Sequence, residues 1–273
     1  MRTAEPILHL PNFNGRWLWQ EYLTLLGSRR SKGVLALFLM ALLATPFVLE
    51  KPPAELVHFI GQWLGMDNAR FKLVLFAWTD LSMNKLAVLS GLALASGLLV
   101  SEQAQGLLTL LRSKPVSLAT LYGIKLLAAV GVFVTWYTLV SLLALWIYAW
   151  IIPEFSRLAF LALSLTHIGA GIFSVCLCGL MALCFQRRLN AMVTATFLLF
   201  LLIGTAFLGF YNPHLLWLVQ FNPFYHGVSI VTQIQDLSAW AVLQRILTLM
   251  LFNGVILGLG LWRAQILEKR EAF

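Results

Sequence analysis

Charge is scarce in this chain. Asp, Glu, Lys and Arg make up 11% of 273 residues, whereas apolar residues make up 60% and the mean hydropathy is +0.84. Soluble domains carry about 25% charged residues, so a water-soluble fold would lack the polar surface to cover itself. Cysteine is scarce too. Cys176, Cys178 and Cys184 fall within one apolar segment, which excludes a disulfide framework. No His-Glu-x-x-His metal motif and no Gly-x-x-x-x-Gly-Lys-[Ser/Thr] phosphate loop occurs. Residues 1–32 contain no apolar run, so no cleavable signal peptide is expected. The net charge of +8 does not imply nucleic acid, because the cations sit in short clusters between apolar runs, the pattern that orients membrane proteins.

What is abundant is apolar sequence in runs of membrane length. A bilayer core of about 30 Å takes about 20 helical residues. The spans predicted are 33–50, 84–101, 119–151, 160–185, 190–211 and 239–262, and together they make 1–273 a single all-α transmembrane domain. The third is too long for one perpendicular crossing, so it should tilt or project. Ser117 is a plausible N-cap for it. Of the 19 Lys and Arg residues, only Lys51, Arg70, Lys72, Lys85, Arg157 and Arg245 fall on or near one side when the N-terminus is placed inside. The positive-inside rule therefore predicts both termini in the cytoplasm and a multi-pass protein of the inner (plasma) membrane.

Four stretches are not expected to span. Residues 16–28 have Leu18, Trp19, Tyr22, Leu23, Leu25 and Leu26 on one helical arc and Arg16, Gln20 and Thr24 on the other. Arg29, Arg30 and Lys32 follow, which predicts an interfacial helix over 16–30 in contact with lipid. Its candidate functional residues are Trp17, Trp19, Glu21, Tyr22, Arg29 and Arg30. Residues 102–113 form a second amphipathic helix, with Ala104, Leu107, Leu108, Leu110 and Leu111 opposite Glu102, Gln105, Thr109 and Arg112, stopped by Lys114-Pro115. Residues 51–83 make a long outer loop in which Leu56, Phe59, Ile60, Trp63 and Leu64 keep helical spacing, a possible surface for a periplasmic or extracellular partner. Pro213 and Asn222-Pro223 break 212–238 into outer half-helices too short to cross, a re-entrant outer segment.

The run SEQAQGLLTLLRSKPVSLATLYGIK, Ser101 to Lys125, resembles the signature of ABC-2 type permeases, carried here by Glu102, Gly106, Leu110, Leu111, Pro115, Val116, Ser117, Gly123 and Lys125. The six-span layout, the N-terminal helix and the broken outer segment resemble that family too, in its type V exporter-like form. The leucine-rich variant and the size are similar to permeases that serve nitrous-oxide-reductase copper-site maturation. The chain departs from the common Gly-Thr-Leu-Glu with Gly106-Leu107-Leu108-Thr109, so a salt bridge from the second acid does not carry over. The resemblance implies a non-enzymatic transport subunit that pairs with a second copy of itself. It also implies two copies of a separate ABC ATPase that bind ATP and magnesium, since this chain holds no cofactor and its residues after Trp262 are too few for a nucleotide-binding domain. Residues 102–113 would be the coupling helix, with Glu102, Gln105, Gly106, Thr109, Leu110, Arg112 and Pro115 in the contact. A membrane scaffold or a secondary transporter without an ATPase is the alternative.

Overall fold

The computed structural model describes residues 14–50, 54, 58, 69–99, 116–152, 155–185, 187–208, 212–232 and 238–271. Every regular element among them is helical: α1 (Gly15–Leu26), α2 (Arg29–Glu50), α3, α4 (Leu118–Ile151), α5 (Arg157–Cys184), α6 (Arg188–Ala206), α7 (Pro223–Thr232) and α8 (Ala239–Glu271), with a 3-10 turn Pro213–Leu215 and a single helical turn Leu216–Val219 before α7. Helix α3 is continuous but composite, with α-helical Ala69–Trp78, a π-helical stretch Thr79–Leu86, and α-helical Ala87–Ala95. Among the described residues, six helices are long and apolar enough to cross a membrane: α2, α3, α4, α5, α6 and α8.

Helix α5 is the hub, with α3, α4, α6, α7 and α8 all packed on it. Its most apolar window is 67% buried inside the protein, against 6% for α8. The 6% value decides that α8 is a rim helix whose apolar surface needs a lipid or protein cover. Small residues let the hub pack closely: a Cβ on Gly91 of α3 would meet the Ser174 carbonyl oxygen of α5 at 2.9 Å. Such close backbone approach is how membrane helices gain dispersion contacts, since lipid offers no hydrophobic drive.

Local signals set the helix starts. Asn14 Oδ1 accepts from Arg16 N at 3.0 Å and Ser156 Oγ from Ala159 N at 3.4 Å. Ser117 Oγ accepts from Thr120 N at 3.1 Å, as its position before the third span predicts. The third span is one helix of 34 residues.

The second span departs from the expectation of 84–101, because helix begins at Ala69. The expected outer loop therefore does not extend over 69–83. Arg70, Lys72, Asp80, Asn84 and Lys85 dilute the apolar signal over this stretch, yet it packs into the core, with Val74, Leu75 and Trp78 almost wholly buried beside the buried polar side chains of Lys72, Thr79, Ser82 and Asn84. Trp78 packs edge-on to Tyr148 of α4 at 6.0 Å and beside Phe160 of α5 at 5.8 Å. The fifth span closes at Ala206, earlier than expected, and the last helix runs on to Glu271. The expected helix around Leu56 to Leu64 lies outside the described residues, as does the whole expected coupling helix 102–113.

Candidate functional site at the basic end of the bundle

One end of the bundle gathers α1, the start of α2, the end of α3, the start of α4, the start of α6 and the end of α8. Contacts far apart in sequence fix this arrangement. Lys125 Nζ of α4 lies 3.4 Å from Glu21 Oε2 of α1, and Leu118 N donates to Glu268 Oε2 of α8 at 3.2 Å.

Helix α1 lies along the first half of α4. Gly131 leaves room for the Tyr22 ring, where a Cβ would approach Tyr22 Cδ2 to 3.2 Å. The Thr135 hydroxyl, which donates to the Gly131 carbonyl, accepts from the Tyr22 hydroxyl at 2.9 Å. Trp136 Nε1 donates to Ser31 Oγ at 2.7 Å and ties α4 to α2. Trp17, Tyr22, Leu25 and Leu26 pack against the core, whereas Trp19 and Leu23 are exposed. The apolar arc expected of α1 is therefore split between the protein and its surroundings. Trp19 stacks on Tyr22 at 5.2 Å and joins the two parts.

Between these elements is a cleft of about 120 Å³ lined by Glu21, Leu25, Arg30, Leu94, Gly97, Leu98, Leu99, Lys125 and Ala128. At its wall a Cβ on Gly97 would stand 3.3 Å from Arg188 Nε and 3.4 Å from Arg30 Nη1. The two guanidinium groups thus converge on one glycine. Arg188 Nε is buried and makes no hydrogen bond to any described residue. Neither arginine has a carboxylate partner among the described residues. The next residue but one, Leu99, takes φ 65°, a left-handed conformation unusual for a bulky side chain. Its side chain is 1% exposed, so packing holds a strained backbone at the point where the chain leaves α3 towards residue 100.

Of the residues expected to act, Glu21, Tyr22 and Arg30 come together here with Lys125. Arg29 is exposed and takes no part in these contacts. Glu102, Gln105, Gly106, Thr109, Leu110, Arg112 and Pro115 lie outside the described residues. Arg188, Gly97 and Leu99 were not legible as site residues. Arg188 reads in sequence as an ordinary loop cation, and Gly97-Leu98-Leu99 lies inside the expected second span and carries no motif.

At the opposite end, Asn222 makes the expected break. Its Oδ1 accepts from Phe224 N at 3.0 Å, capping α7 with Pro223 in the first turn, and its Nδ2 donates to Leu202 O at 2.6 Å and Thr205 Oγ1 at 3.0 Å. His226 Nε2 donates to Gln220 O at 2.9 Å. Burial holds the His226 imidazole below its ordinary range, opposed by that carbonyl and reinforced by Arg245. In the core between the two ends, the Ser82 hydroxyl of the π-helical stretch and the Tyr137 hydroxyl lie 3.1 and 3.2 Å from His167 Nδ1. A π-helical segment is often retained at functional sites, and its presence in α3 was not visible from hydropathy.

The three cysteines are free thiols, and no group of three or more His, Cys, Asp or Glu side chains is placed to hold a metal among the described residues. Comparison with protein-family models and with characterised proteins gives no match for this chain.

Proposed function

We propose that this chain is the permease subunit of an ATP-driven transporter of the ABC-2 type, which pairs with a second copy of itself and is driven by a separate ATPase. One observation supports this reading best. The segment 100–115 leaves from Leu99 and returns at Val116 and Ser117, and both points stand at the basic end, where α1 is clamped to α4 by Glu21–Lys125 and Tyr22–Thr135. A segment tethered on both sides beside a braced amphipathic helix suits the transmission of force from a soluble motor to α3 and α4. The basic end would face the cytoplasm, in keeping with the clustering of Arg16, Arg29, Arg30, Lys32, Arg187 and Arg188 there. ATP and magnesium would be bound by the motor, and the work done would be export or a conformational signal across the membrane.

The test is affinity purification of the tagged chain from its native membrane, followed by identification of co-purifying subunits and measurement of ATP hydrolysis. The permease reading requires a stoichiometric ATPase that Leu110→Asp releases and Glu102→Ala uncouples. Purification without any ATPase would refute it and favour a scaffold or secondary transporter.

A further inference from the structure

We propose that Arg30 and Arg188, which meet at Gly97, bind the phosphate of an anionic lipid headgroup. Two guanidinium groups from different helices pack on one glycine, where any side chain would crowd both. Arg30 is exposed and Arg188 partly buried, so water screens part of their repulsion, but the Arg188 Nε–H is shielded and no described residue pairs it, a cost that an anion between the two groups would relieve. A tetrahedral phosphate fits the demand, because each guanidinium can offer it two parallel N–H donors. The adjoining cleft, about 120 Å³, accommodates a phosphate together with water. Glu21 lies across the cleft but is engaged with Lys125, so it does not neutralise the arginines.

The position selects a lipid over a soluble phosphate. Arg30 and Arg188 open two candidate membrane spans, Arg29–Phe47 and Arg188–Ala206. They therefore stand at one membrane boundary, the level at which headgroup phosphates sit. Beside them α1 shows Trp19 at 59% and Leu23 at 47% exposure, an apolar surface suited to acyl chains next to the headgroup. The site joins α2, α3 and α6 through a ligand that belongs to the membrane. It does not depend on any ATPase.

The experiment places the purified chain in nanodiscs of phosphatidylcholine with or without phosphatidylglycerol, and separately in phosphatidylcholine with millimolar inorganic phosphate. Thermal stability and lipid retained on transfer to detergent are read for native protein, Arg30→Gln, Arg188→Gln and Gly97→Leu. Native protein should be stabilised by phosphatidylglycerol and retain it selectively. Each arginine variant should weaken that retention by about tenfold, the loss of one charge-assisted contact. Gly97→Leu, which keeps both charges but fills the gap, should weaken it as much. Equal stabilisation by inorganic phosphate would reassign the site to a soluble anion and overturn the lipid reading. Absence of any phosphatidylglycerol preference in native protein, a result independent of whether the variants fold, would overturn the site itself.

Discussion

Replacing Gly91 by alanine puts a methyl carbon 2.9 Å from the Ser174 carbonyl oxygen, 3.0 Å from its carbon and 3.1 Å from Cys178 Sγ. Two of those atoms are backbone in the hub helix, so no rotamer change relieves the contact. α3 and α5 must separate by a few tenths of an ångström along a face that includes Ala87, Leu94 and Ala95, and dispersion falls steeply with such gaps. Overpacking of this kind costs about 1–3 kcal/mol. Alanine recovers about 1 kcal/mol of helix propensity over glycine, leaving a net loss of about 0–2 kcal/mol. Gly33→Ala is the internal control, because nothing lies within 4 Å of its Cβ position, and it should gain about 1 kcal/mol from propensity alone. Thermal unfolding in mild detergent, followed by tryptophan fluorescence, should place Gly91→Ala below native and Gly33→Ala above it. Adding Cys178→Ala should not rescue Gly91→Ala, since the carbonyl remains. Equal midpoints for the two glycine variants, or rescue by Cys178→Ala, would refute backbone contact as the basis of the α3–α5 seam.

Asn222→Ala removes the α7 cap and two donated hydrogen bonds and should cost about 2–3 kcal/mol in the same assay; Asn222→Asp keeps the cap but faces the Leu202 carbonyl with an acceptor, so it should not restore the midpoint. A double-mutant cycle of Glu21→Gln and Lys125→Met should give a coupling of only about 0.5–1 kcal/mol, shrinking with added salt, because both side chains are partly exposed, at 28% and 17%. Protonation of His226 is opposed by burial and by Arg245, with Tyr225 and Phe252 packed alongside. Its depressed folded value means the unfolded chain binds the proton more readily, so its contribution is fully present above the ordinary value of 6.5 and is lost as pH falls below it. Unfolding midpoints should drop between neutral and acidic pH, and His226→Asn should flatten that drop.

The spans that hydropathy located well are those whose apolar run and helix coincide. α4 and α5 carry almost nothing but apolar side chains, Ser117 announced its cap by residue type and position, and Asn222-Pro223 announced a break whose capping role the structure adds. The second span was misplaced for a physical reason. Hydropathy averages over all faces of a helix, whereas burial is a property of one face, and α3 carries Arg70, Asp80 and Lys85 on the side away from the core. Asp80 and Lys85 pair at 2.6 Å with side chains 40% and 55% exposed, which lowers the average without disturbing the packing of Leu75 and Trp78. The π-helical register that brings Ser82 to His167 leaves no sequence signature at all.

The same distinction explains what was legible of the candidate site. Glu21, Tyr22 and Arg30 were found because an amphipathic arc advertises an interface whatever lies opposite. Arg188 was not, because its meaning depends on Arg30 and Gly97, which are far away in sequence and meet it only once three helices have packed. A charge cluster within one loop reports orientation, since the membrane reads it by position alone. A charge cluster assembled from two helices on the glycine of a third segment has a different consequence: its repulsion works against the packing that creates it. The fold retains that cluster, keeps a small residue between the charges and holds a strained Leu99 beside it. On the segment that leads into residues 100–115, guanidinium repulsion and the strained Leu99 both work against the packing, so an anion bound there would favour the packed arrangement.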